Sequence, residues 1–121
     1  MDTLSKIIIV IVALEHCYIL WFEMFAWETK GKQIFKNALP QELFKPTKGL
    51  AANQGLYNGF LAAGLIWSLL IKDPVWHMNT ALFFLSCVAI AGIYGAVSAT
   101  KKIFYVQALP AIIGIITLLL T

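Results

Sequence analysis

The sequence has no arginine: each of its nine basic residues is a lysine. Arginine's planar fork is the usual choice for gripping carboxylate and phosphate groups, so its absence weighs against an anionic ligand. Charge of either sign is scarce, at 12% of residues, whereas 60% are hydrophobic and the mean hydropathy is +0.81. A soluble domain of 121 residues needs a polar surface that this composition does not supply. The two cysteines, Cys17 and Cys87, lie far apart in apolar stretches. Neither has the near partner that a metal knuckle or redox pair requires, so both read as free, buried thiols. There is no glycine-rich phosphate loop for a nucleotide. Ser68, Ser86 and Ser98 have no histidine base at their depth, and Cys17 faces away from His16, so nucleophilic hydrolysis finds no support.

What the chain does have is long uncharged runs. About 20 residues at about 1.5 Å of rise cross a hydrocarbon core of about 30 Å. The runs predict an all-α integral membrane four-helix bundle, a single domain over 1–121 with spans at about 5–27, 51–71, 78–100 and 103–120. The first run is not expected to be a cleaved leader. Glu15 and His16 interrupt it, and Trp21, Phe22 and Trp27 stand where small residues would be needed. Lys72-Asp73-Pro74-Val75 and Lys101-Lys102 are short turns, and 28–50 is the one long connection.

Alternating spans place that connection and Lys101-Lys102 on one face, with seven lysines against Glu28 and Glu42. Lysine excess in short loops marks the cytoplasmic side, so both termini are expected outside the cytoplasm. The net charge of +3 is thereby explained by topology rather than by nucleic acid, which is not expected as a partner. Membrane lipid is: Ile34, Phe35, Leu39, Leu43 and Phe44 interleave with lysines, a pattern that fits a segment lying on an anionic leaflet. Small residues recur every fourth position at Gly55, Gly59 and Ala63, and at Ala91, Gly95 and Ala99. Such spacing lets helix backbones approach closely, within the bundle in preference to a homo-oligomer.

The polar residues within spans are the candidates for function, because ionisable groups there are costly and face an interior or a water-filled cavity. Span one carries Glu15, His16 and Glu23; span two Asn53, Gln54, Tyr57 and Asn58; span three Tyr94; span four Gln107 beside Pro110. By helical rise, Glu23 and Gln107 lie about 6 Å from the cytoplasmic ends, and Glu15 and His16 about 16–18 Å in. At about 100° per residue, the span-two amides and Tyr57 share one arc, opposite the small residues. Together these residues predict a polar pocket open to the cytoplasm.

Several segments carry a family resemblance: Ala13-Leu14-Glu15-His16, Glu23-Met24-Phe25-Ala26-Trp27, Asn53-Gln54-Gly55-Leu56-Tyr57-Asn58-Gly59-Phe60-Leu61-Ala62, Tyr94-Gly95 and Gln107-Ala108-Leu109-Pro110. The chain resembles the small bacterial membrane proteins catalogued as domain of unknown function thirteen-oh-four. The resemblance implies a four-span membrane protein and implies no activity; the expected location is the bacterial cell membrane, inner or plasma, and no cofactor is assigned. In size, span count and an early intramembrane Glu the chain is also similar to the small multidrug-resistance transporters, although its amides, histidine and second Glu depart from them.

Three readings follow. A carboxyl midway along a span can exchange a proton for a cationic solute, which points to binding or transport of a small polar or cationic solute. His16 and Glu23, with Glu15, could instead ligate a metal in a membrane enzyme. One in-span histidine falls short of the usual two or three, however, and His77 lies at the outer end, so no metal residue is assigned. Third, the polar groups could only join helices in a structural or accessory subunit, at about 0.6–2 kcal/mol per bond.

Overall fold

A helix begins where backbone donors find a cap, and two aspartates supply one here. The computed structural model describes all residues, Met1–Thr121, and contains helices and turns with no strand. Asp2 precedes α1 (Thr3–Phe25), and its Oδ1 accepts the Ser5 backbone N–H at 2.8 Å. Those Ser5 hydrogen bonds hold the Asp2 carboxyl below its ordinary range. A three-residue α2 (Lys32–Ile34) and then α3 (Lys48–Leu70) follow. Asp73 caps α4 (Pro74–Ser98), accepting from the N–H groups of Val75 and Trp76 at 3.0 Å each. Pro74 takes the first helical position, where no donor is missed. A π-turn at Phe104–Ala108 leads into α5 (Leu109–Leu119).

The chain divides into two units, and α1 and α3 each contribute residues to both. The first comprises Met1–Leu14 and Leu61–Thr121. Its core is aliphatic, built on Ile9, Val12, Leu65, Leu85, Val88 and Leu118. Gly92 permits the closest glycine approach to backbone in it: a Cβ there would meet the Ala108 backbone nitrogen at 2.6 Å. Gly95 lies similarly against Ile103. The small-residue stripe expected at Ala91, Gly95 and Ala99 is thus one residue off. Ala91 and Ala99 are exposed, and Gly92 with Gly95 forms the contact. Four-residue steps drift about 40° round a helix, and a three-residue step corrects the drift. Polar links in this unit are few. Ser5 Oγ donates to Thr117 Oγ1 at 3.1 Å, and His77 Nδ1 meets the Ser68 carbonyl at 2.6 Å.

The second unit is Glu15–Phe60. Ile19, Phe22 and Ala26 pack with Trp27, Ile34 and Phe35, and Phe44 is fully buried with its ring 5.0 Å from that of Trp27. The chain leaves α1 through a π-turn at Trp27–Gly31, and the Trp27 Nε1–H donates to Thr47 Oγ1 at 3.0 Å. Residues 26–47 are thereby folded onto themselves. Of the apolar residues that interleave with lysines, Phe44 is turned inward and Leu43 is exposed. The interior of this segment is where its aromatic rings find most contact.

Two helices, Thr3–Phe25 and Pro74–Ser98, are long and apolar enough to cross a membrane by length and composition, and Phe104–Leu119 is a shorter apolar run. α3 is as long as α1, but Asn53, Gln54 and Asn58 interrupt its first half. Large apolar side chains cover much of the outer surface, among them Leu14, Ile90, Val97 and Leu120. Both cysteines are unpaired as expected, but Cys17 is exposed rather than buried, and Cys87 is half-buried.

Candidate functional site

Glu23 stands on the last turn of α1 and is buried, with 4% of its surface accessible. A carboxyl in that position needs a donor, and α3 supplies one. Asn58 Nδ2 donates to Glu23 Oε1 at 2.7 Å. Gly55, one turn earlier on α3, makes the reach short enough. A Cβ at Gly55 would stand 2.8 Å from Met24 Cγ, 2.9 Å from Glu23 Cβ and 3.2 Å from the Leu20 carbonyl oxygen. Any larger residue would push α3 away and carry the amide out of range. Gly59 adds a second close approach, against the end of the Leu20 side chain.

His16 is buried two turns before Glu23 on the same helix. Glu15 is half-exposed as a residue, yet its Oε1 is fully buried and no hydrogen-bond donor reaches it. The structure thus holds two acids on α1 in unlike surroundings. One carboxyl oxygen is bonded, and the other is enclosed without a partner.

The remaining candidates are placed differently. Asn53 and Gln54 are exposed on α3, and so is Tyr57, whose ring meets Phe60 edge-on at 5.7 Å. Tyr94 on α4 is also exposed, and only its carbonyl is engaged, accepting from Ser98 Oγ at 2.8 Å. Gln107 is half-buried within the π-turn of the first unit. Asn58 is therefore the one span-two amide brought to an acid. The arc that the span-two amides and Tyr57 share is about 140° wide at about 100° per residue, more than a single helix neighbour covers, so its far members reach the surface.

No three His, Cys, Asp or Glu side chains gather in a way that could hold a metal ion. A shallow depression at the start of α1, lined by Thr3, Lys6, Ile7, Val10 and Ile11, includes none of the candidate residues. The Trp27–Thr47 hydrogen bond and the Ser5–Thr117 bond were not foreseen. They join residues 20 and 112 positions apart, a separation that periodicity does not register.

Comparisons with known proteins place the chain. The family described as "Protein of unknown function (DUF1304)" matches residues 10–119. The chain is 30% identical over 125 residues to "Uncharacterized protein YpaA" of Lactococcus lactis subsp. lactis (strain IL1403), covering 97% of this chain and 98% of that protein. No solved structure matches it. With nearly its whole length accounted for, the chain belongs to the DUF1304 family of proteins of unknown function.

Proposed function

We propose that the chain is a four-span protein of the bacterial cell membrane, inner or plasma, that binds a small polar or cationic solute in a cytoplasm-facing pocket and transports it. In this reading residues 1–121 form one membrane domain with spans at about 5–27, 51–71, 78–100 and 103–120 and with both termini outside the cytoplasm. The lysine-rich segment 28–50 lies against the inner leaflet. Glu15 and His16 lie at the inner end of the pocket, and Glu23, Asn53, Gln54, Tyr57 and Asn58 lie towards its cytoplasmic mouth.

The observation that carries the reading is the pair of acids on α1. Two carboxyls and a histidine are retained in a 23-residue helix that is otherwise almost wholly apolar. Each costs free energy in hydrocarbon that only a partner or a ligand returns. Glu23 has its partner in Asn58, and the buried oxygen of Glu15 has none. The apolar exteriors of α1 and α4 support the membrane setting.

The test is uptake of monovalent organic ammonium ions into vesicles containing the purified protein, driven by an imposed proton gradient. Uptake above that of empty vesicles, abolished in the Glu15→Gln/Glu23→Gln double variant, is the expected result. Equal uptake by loaded and empty vesicles across the panel would refute transport. Reporter fusions at each terminus check the orientation, and a cytoplasmic terminus would overturn it.

A second reading is favoured by the Glu23–Asn58 bond itself: the polar groups join helices and do nothing more. Asn58→Ala would then lower thermal stability and leave every binding or flux measurement unchanged. The metal-dependent reading has no donor set in its favour.

A further inference from the structure

Two opposite charges flank the first turn of α1. Asp2 accepts the Ser5 N–H through Oδ1, and its carbonyl accepts the Lys6 N–H at 3.2 Å, so Asp2 and Lys6 stand one turn apart. Both are exposed, and they form no ion pair; the ion pair of the chain joins Lys48 to Glu28. Beside Lys6 begins the depression lined by Thr3, Lys6, Ile7, Val10 and Ile11. These positions recur every three or four residues and share one face of α1, with Ile7, Val10 and Ile11 as an apolar floor. Its volume of about 250 Å³ falls short of the roughly 300–1,000 Å³ that enclose a whole small molecule. A length of hydrocarbon chain fits it better. In a bilayer that chain ends in a headgroup, at the level where a lysine ammonium comes to rest.

We propose that the depression seats one acyl chain of a phosphatidylethanolamine molecule, whose phosphate pairs with Lys6 and whose ammonium pairs with Asp2. The proposal takes only the membrane setting from the reading above and stands apart from transport. Two arguments select the headgroup. Side chains four apart on a helix have Cβ atoms about 5–6 Å apart, a span that the two carbons between phosphate and ammonium can match. A primary ammonium also donates hydrogen bonds to a carboxylate. The trimethylated nitrogen of phosphatidylcholine has no N–H to give, and phosphatidylglycerol would bring only negative charge towards Asp2.

The test is native mass spectrometry of the full-length protein, released from mild detergent after titration with each of these three lipids in one chain composition. One phosphatidylethanolamine per chain should bind about tenfold more tightly than phosphatidylcholine, the discrimination of one charge-assisted hydrogen bond. The lysines of 28–50 meet the same phosphate in both lipids and do not produce this difference. Asp2→Asn keeps an acceptor for the Ser5 N–H and should erase the preference. Val10→Trp, at an exposed position, fills the depression and should weaken the binding of both lipids. Equal binding of the two lipids by the wild type overturns the proposal, and so does a preference that survives Asp2→Asn or Val10→Trp. Tighter binding of phosphatidylglycerol that is lost in Lys6→Gln overturns the choice of headgroup.

Lipid retention requires no flux and none of the pocket acids, so the two readings fail separately. A lipid held by a protein that moves nothing removes transport and keeps the site. Uptake by a protein with no lipid preference removes the site and keeps transport. A chain recovered from the aqueous phase without detergent removes both.

Discussion

Gly92→Ala adds one methyl group at the tightest glycine contact with backbone in the first unit. The new Cβ would stand 2.6 Å from the Ala108 nitrogen, 2.8 Å from its Cβ and 2.9 Å from its Cα. Carbon atoms pack at about 3.5–4.0 Å, so α4 and the π-turn would have to part by about 0.6–0.9 Å. Two of these three obstacles are main-chain atoms, which no rotamer change can move aside. Overpacking of this kind costs about 1–3 kcal/mol, and the rigid obstacle places Gly92→Ala in the upper half. Replacing glycine in a helix returns about 0.5–1 kcal/mol. The net loss is about 1–2 kcal/mol, roughly a 5–30-fold fall in the folded-to-unfolded ratio. Unfolding in mixed micelles with rising dodecyl sulfate, followed by tryptophan fluorescence, measures it. Two further glycines calibrate the result. At Gly59 the closest atom is the end of the Leu20 side chain, which can rotate away, and at Gly49 nothing lies within 4 Å. The expected order of stability is Gly49→Ala at or above wild type, then Gly59→Ala, then Gly92→Ala. A Gly92→Ala protein as stable as wild type, or one more stable than Gly59→Ala, would show that the close packing of α4 on 104–108 is not as described.

Other perturbations follow from single contacts. Phe44→Ala empties a fully buried ring site beside Trp27 and should cost about 3–5 kcal/mol locally; faster tryptic cleavage at Lys36 and Lys45 reads it, and an unchanged rate contradicts it. Asp73→Ala removes the acceptor for Val75 and Trp76 and should cost about 1 kcal/mol, with faster hydrogen exchange confined to the first turn of α4. Asp2 has a folded-state value below 3.8, so its contribution to the start of α1 is present above that pH and is lost as the pH falls through the lowered value. A carboxyl titration by NMR that places Asp2 at or above 3.8 would refute this.

Much of the helical layout was legible in the sequence. The apolar runs expected at 5–27, 51–71, 78–100 and 103–120 correspond to helices at Thr3–Phe25, Lys48–Leu70, Pro74–Ser98 and, through the π-turn, Phe104–Leu119. Three of the four begin earlier than expected, for one reason. Apolar runs report where charge stops, whereas helices start at caps such as Asp2 and Asp73, or run through a charge such as Lys48. Less of the candidate site was legible. Glu23 and Asn58 were named as candidates for their rarity in apolar runs, but their pairing spans 35 residues and depends on Gly55 allowing close approach. Gly55 itself was signalled by small-residue spacing. Ala63, on the same spacing, is exposed, since a repeat of small residues does not say how far along a helix its neighbour follows. Segment 26–47 was the least legible. Its lysines and aromatic residues alternate with no helical or strand period, so nothing in the order indicated that Trp27 and Thr47 would close it.

The π-turn before Pro110 bears on how the length of this helix can vary. There the Leu109 N–H reaches back five residues to the Phe104 carbonyl, so the turn accommodates one residue beyond the α-helical count. A residue removed from an ordinary helix swings everything after it by about 100°, which would turn Ala111, Gly114 and Leu118 away from the core. Removal of Val106 should instead let the turn contract to α-helical pitch and leave those residues facing inward. A chain lacking Val106 is expected to fold, whereas one lacking Ile113 is not. A DUF1304 protein could by the same route differ by one residue at this point and still present the same inner face.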